Sequence, residues 1–154
     1  DSISNNTSGC DTYEDYTTMS TDLTIGQSYN MRVDLGWCTQ NYNWDDAAKI
    51  FIDWNIDGDF DDANEEVYTI VPNLTPSTNV FSFSVPNSAI SGNTRMRIVS
   101  QNQSPGFTAS PTIAFGACDS TVWFGATEDY SLTINEHYML IILNLKLTTC
   151  ISVI

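Results

Sequence analysis

Val80-Phe81-Ser82-Phe83-Ser84-Val85 carries Phe81, Phe83 and Val85 on one face of an extended chain and Val80, Ser82 and Ser84 on the other. That period of two belongs to a half-buried β-strand and to no helix. The same alternation recurs upstream in Ser28–Leu35, through Tyr29, Met31, Val33 and Leu35, and downstream in Thr94–Ser100, through Met96 and Ile98. Shorter β-like runs stand at Tyr13–Met19, Lys49–Trp54, Val67–Val71 and Tyr130–Ile134. Gly26-Gln27, Pro72–Thr78, Pro86-Asn87-Ser88 and Ser91-Gly92-Asn93 punctuate them as turns, and Gly36–Asp46 and Gln101–Asp119 read as longer loops. Many short strands with turn residues between them, and no sustained helical period, predict an all-β fold: a β-sandwich, jelly-roll-like.

Composition agrees. The 154 residues suit one domain with a single sizeable core, and apolar residues at 42% argue against a disordered chain. Nineteen acids face five bases, a formal charge of −14. Nucleic acid is excluded as a partner, because phosphate binding needs clustered Lys and Arg. An anionic membrane surface is disfavoured for the same reason. Cys10, Cys38, Cys118 and Cys150 show no close C-x-x-C pair, so they read as one or two disulfides of an oxidising compartment, with three pairings open and free thiols as the alternative.

Seven of the nineteen acids crowd into Asp53–Glu66, where the chain reads Asp53-Trp54-Asn55-Ile56-Asp57-Gly58-Asp59-Phe60-Asp61-Asp62-Ala63-Asn64-Glu65-Glu66. The opening matches D-x-[DN]-x-[DN]-G, the start of a calcium loop. Oxygens at alternate positions wrap one hard cation, and the glycine allows the sharp turn between them. Asp53, Asn55 and Asp57 are the expected side-chain ligands, Asp59 a carbonyl ligand and Asp61 a direct or water-mediated one. The twelfth position is Asn64, so Glu65 is expected to close the set. A cage built wholly from protein oxygens suits Ca2+ better than Mg2+. The bland alternative is a solvated turn whose Asp, Asn and Gly serve the backbone.

Ile52–Val67 (IDWNIDGDFDDANEEV), Gly92-Asn93-Thr94-Arg95-Met96-Arg97 and Gly125-Ala126-Thr127-Glu128-Asp129-Tyr130 together resemble the GEVED domain. Tyr13-Glu14-Asp15-Tyr16-Thr17 is similar to its early YxDYT motif, so the resemblance spans about residues 4–134 in order. It implies a non-catalytic β-sandwich module of large secreted bacterial proteins, notably of the Bacteroidota. Ala126 stands where the family motif has its first glutamate, which voids any ligand role there. Glu128 and Asp129 are expected to brace the sandwich edge, bind a cation or bond to loop backbone. Arg95 and Arg97 are expected to face outward or to pair with those acids. The resulting division is an arm over residues 1–12, the sandwich over 13–135 and an apolar tail over 136–154.

An enzyme is not expected. The one histidine, His137, lies near the tail, no G-x-S-x-G elbow is present, and one His with scattered Cys does not make a zinc site. Tyr138–Ile154 is too short and too polar for a membrane span of ~20 apolar residues, and reads as β-strand prone to pairing. The resemblance leads to the expectation of an opening strand that residues 1–12 do not supply and of an apolar strand appended after the domain, so either end is a candidate to be donated to a neighbour by β-augmentation. The expectation is a secreted or cell-surface structural or adhesive subunit, calcium-stabilised and homo-oligomeric as a head-to-tail filament. The alternative is a carbohydrate-binding module stacking glycans on Trp37, Tyr42, Trp44 and Trp123. Asn5, Asn6, Asn73 and Asn102 head N-x-[ST] sequons, and Asp1-Ser2-Ile3 and Asp119-Ser120-Thr121 resemble short O-glycosylation sites.

Overall fold

The computed structural model describes residues 2–7, 12–36, 45–103, 115–119 and 125–137. Among these residues seven strands form: β1 (Tyr13–Thr24), β2 (Ser28–Leu35), β3 (Asp45–Ile52), β4 (Glu66–Leu74), β5 (Ser77–Ser84), β6 (Gly92–Asn102) and β7 (Gly125–Asn135). They build a five-stranded sheet in the order β1-β7-β6-β3-β4 and a two-stranded sheet, β2-β5. The fold is all-β and sandwich-like. The β1–β7 pair is parallel, outside the antiparallel pattern of a jelly roll, and every other pair is antiparallel.

Alternation decides which side chains meet. Ile50 and Ile52 of β3, Met96 of β6, and Tyr130, Leu132 and Ile134 of β7 point from the large sheet toward Val33, Leu35 and Phe81 of the small one, and all are buried. Phe81 stacks face to face on Tyr68, with centroids 3.8 Å apart. Val80, on the opposite side of β5, is 68% exposed, as the alternation of Val80–Val85 requires. Near Tyr130 the arm contributes: Ile3 packs against the core and Asn5 donates its amide to the Tyr130 hydroxyl at 3.1 Å.

The large sheet also buries part of its other face. Ala47, Phe51 and Val99 meet Phe60 from the acidic loop and Phe115 and Ala117 from the 115–119 turn. β3 therefore buries apolar side chains on both faces, which is why Lys49–Trp54 reads as a continuous apolar run rather than an alternating one.

Several boundaries differ from the sequence reading. β1 runs to Thr24 instead of ending near Met19, with a register shift between Tyr16 and Ser20. β4 continues through Pro72 to Leu74. Pro72 is tolerated there because β4 is an edge strand and the register shifts opposite Ala47, between Asp46 and Ala48. Only Thr75-Pro76, a cis peptide, separates β4 from β5. Asp45 and Asp46, assigned to a loop from their polarity, begin β3: Asp46 accepts hydrogen bonds from Thr75 and, at 3.0 Å, from Asn102. Asn102 is 1% exposed and so held, which closes its sequon to a glycan in the folded chain. Cys118 is free and exposed, whereas Cys10, Cys38 and Cys150 lie outside the described residues, as do Trp37, Tyr42, Trp44, Trp123 and Tyr138–Ile154. Among the described residues no helix is long and apolar enough to cross a membrane.

Candidate metal centre

β3 ends at Ile52, and an acidic loop of thirteen residues, 53–65, returns the chain to β4 at Glu66. Its base is tied to the sheet: the Ile52 N–H donates to the Glu65 carbonyl at 2.9 Å and the Asp53 N–H to the Arg95 carbonyl at 3.2 Å. Within the loop, short acids turn the backbone by accepting N–H groups two or three residues ahead. Asp53 accepts from Ile56 at 2.6 Å, Asn55 from Asp57, Asp57 from Asp59, and Asp59 from Asp61. Asp53 also accepts the Gly58 N–H at 3.1 Å, where φ is +95° and glycine is favoured.

Glu65 holds the loop from within. It is 1% exposed, and its two oxygens accept the N–H groups of Trp54 at 2.9 Å and Asp62 at 3.3 Å. Burial pushes its carboxyl above the usual glutamate range, and the two N–H donors only partly counter that. The Trp54 indole N–H, donating to the Asn64 carbonyl at 3.1 Å, fastens the far side.

Of the six expected ligands, then, Asp53 and Glu65 face inward as braces, and Asp61 is exposed without joining the carboxylate cluster. Three exposed carboxylates converge instead: Asp57, Asp59 and Asp62 bring oxygens within 4.8 Å of one another. The Asn55 amide nitrogen lies between two of them, 2.8 Å from Asp57 Oδ2 and 2.6 Å from Asp62 Oδ2. Asp62 was absent from the expected set. The alternate-position rule selects Asp61, but in the folded loop its chemically identical neighbour Asp62 is the one whose carboxylate joins the cluster. The donors are hard oxygens of the kind that suits Ca2+, and Asn55, Asp57, Asp59 and Asp62 are the residues that would hold it.

Beside the loop lies a second polar centre. Asp129 is fully buried, and Arg97 forks onto it, Nε to Oδ1 at 2.7 Å and Nη2 to Oδ2 at 2.8 Å. The Tyr13 hydroxyl donates to Oδ2 at 3.0 Å, and Arg95 Nη1 stands 3.5 Å away. Arg97 spends its remaining nitrogen on the Ala117 carbonyl at 3.1 Å, and its guanidinium lies over the Phe60 ring. Asp129 thus ties β1, β6 and β7 to the turn at 115–119, and its hydrogen bonds raise the Arg97 pKa. Arg97 pairs with an acid as one sequence reading held. Glu128 accepts the Tyr130 hydroxyl at 2.7 Å.

Between the acidic loop and the start of β6 runs an open groove of about 420 Å³, with Ile56, Asp57 and Gly58 on one side and Asn93, Thr94 and Arg95 on the other. Arg97 and Ser131 line it as well.

Fold and site define a sandwich-like all-β domain with a braced acidic loop and a buried Arg–Asp lock. The chain belongs to the GEVED domain family, whose profile matches residues 47–133, more than half its length. Comparison with curated proteins finds no match.

Proposed function

We propose that this chain is a non-catalytic, extracellular structural or adhesive subunit, stabilised by calcium in the acidic loop and assembled head-to-tail by strand exchange. The convergence of Asp57, Asp59 and Asp62 on the exposed side of a loop braced from within carries the reading. Three carboxylates that close repel one another in the absence of a cation, and the Asn55 amide already lies where positive charge is favoured. Rotating that amide by half a turn presents its oxygen to an ion. Among the described residues β1 and β4 are the edge strands of the large sheet, which supports the assembly half of the reading, since a sheet edge is where another chain can add a strand. Tyr138–Ile154 is the proposed donor. The arm is the weaker one, because Ile3 and Asn5 already pack on their own core.

Thermal unfolding and negative-stain microscopy, in calcium and then in excess chelator, test both halves. Calcium at about 100 times its Kd is expected to stabilise by about 2.7 kcal/mol. Asp62→Asn is expected to lose most of that gain, and deletion of Tyr138–Ile154 to leave particles of monomer size. Equal melting temperatures in calcium and chelator sink the ion; a monomeric intact chain sinks the assembly.

A further inference from the structure

The groove beside the acidic loop has walls of opposite character. On one side Arg95 is half exposed and underused. Three of the four bases among the described residues are committed at short range: Arg32 to Asp34 and Lys49 to Glu66 at 2.9 Å, and Arg97 to Asp129 at 2.7 Å. Arg95 has a 3.5 Å contact to an Asp129 carboxylate already taken by the Arg97 fork and the Tyr13 hydroxyl. Its planar set of donors is open to a carboxylate arriving along the groove. On the opposite wall Asp57 is exposed and offers acceptors, while Ile56, 36% exposed, gives the rim an apolar surface.

We propose that this groove binds a sugar acid, the carboxylate forked on Arg95 and the ring hydroxyls donating toward Asp57. A ligand needs an anion at one end and neutral donors at the other to satisfy both walls. A sugar acid has both, and the C–H face of its ring suits Ile56. A phosphorylated ligand fits less well, since its second negative charge faces Asp57 in a chain of formal charge −14. An acidic peptide brings further carboxylates toward the same wall. The groove's volume is within the range of small-ligand sites. The Arg95 contact does not depend on an ion in the loop.

The test is titration of the full chain with galacturonate, neutral galactose and triaspartate, followed by calorimetry and by amide NMR shifts, in calcium and in chelator alike. Galacturonate is expected to shift amides from Asn93 to Arg95 and from Ile56 to Gly58, with the other two probes at least about tenfold weaker. Arg95→Gln is expected to weaken galacturonate at least about tenfold, the scale of a lost charge-assisted fork, with Arg95→Lys intermediate. Arg32→Gln, on the far sheet, is expected to leave it unchanged. Full affinity in Arg95→Gln, equal binding of galactose or triaspartate, or no binding of galacturonate overturns the proposal. Melting of Arg95→Gln close to wild type separates a lost contact from a lost fold. Loss of calcium binding with Arg95-dependent sugar binding intact separates this proposal from the ion.

Discussion

Replacing Asp129 with Asn tests whether the Arg97–Asp129 pair is a lock of the fold. The substitution keeps the shape of the side chain but removes its charge and turns one acceptor oxygen into an NH2 group facing the guanidinium. Breaking a buried ion pair by removing one partner costs about 3–5 kcal/mol, mostly for the charge left behind. Asp129 is fully buried, but the Arg97 side chain is 16% exposed and keeps the Ala117 carbonyl. Some water reaches the stranded cation, so the lower end applies, about 3 kcal/mol. For a chain of this length that is a fall of roughly 6–12 °C in melting temperature.

Urea unfolding at fixed calcium concentration reads the cost from the midpoint, provided the slope is unchanged. Arg97→Met combined with Asp129→Leu is the decisive variant. Once neither charge is present, a packed apolar pair is expected to lie within about 1 kcal/mol of wild type, so the single losses are strongly non-additive. An Asp129→Asn protein within about 0.5 kcal/mol of wild type, or a double variant as weak as the sum of its singles, refutes the lock.

Two further outcomes follow from one half-buried acid and one buried acid. Burial pushes the Asp46 carboxyl above the usual aspartate range, with the hydrogen bonds from Thr75 and Asn102 partly offsetting it. The native state then holds that proton more tightly than the unfolded chain, so this contribution to stability declines as pH rises from the ordinary aspartate pKa through the raised one. Asp46→Asn is expected to abolish that decline, and a wild-type-minus-variant stability difference that stays flat across the acid range counts against it. Glu65→Ala strands the N–H groups of Trp54 and Asp62 and is expected to cost about 2–3 kcal/mol, with Glu65→Gln, which keeps one acceptor, costing less. Equal unfolding midpoints for the two variants speak against the bracing role.

The legible parts of this fold are those governed by alternation. Phe81, Val85, Val33, Leu35 and Met96 lie where a period of two places them. Polarity misled at Asp46, because a carboxylate with Thr75 and Asn102 as partners is admissible at the buried end of a strand, and no local pattern announces partners so distant in sequence. Pro72 misled because its cost depends on whether β4 is central or at an edge, a property of the whole sheet. The acidic loop was legible as a loop and as a concentration of oxygen donors. Which oxygens turn outward was not, because Asp53 and Glu65 are claimed first by backbone N–H groups that only the folded turn brings to them.

The three family motifs, far apart in sequence, become neighbours across the sheet. Ile52 lies opposite Met96 and Met96 opposite Tyr130, while Arg97 lies opposite Asp129. Thr94 donates its hydroxyl to the Asp53 carbonyl at 2.5 Å, and the Asp53 N–H in turn bonds the Arg95 carbonyl, so the root of the acidic loop is fixed by the strand that carries both arginines. Asp53 and Asp129 can therefore be acids of a motif without being exposed ligands: one shapes the loop, the other anchors the arginine beneath it. That separation leaves Asp57, Asp59, Asp61, Asp62 and Arg95 as motif charges turned toward solvent, presented on a frame whose own charges are already neutralised or hydrogen-bonded. A variant that damages the frame is expected to lower melting temperature with or without calcium, whereas one that damages the outward charges is expected to change ligand response alone. The two classes of residue are thus separable by experiment, although the sequence writes them in the same three motifs.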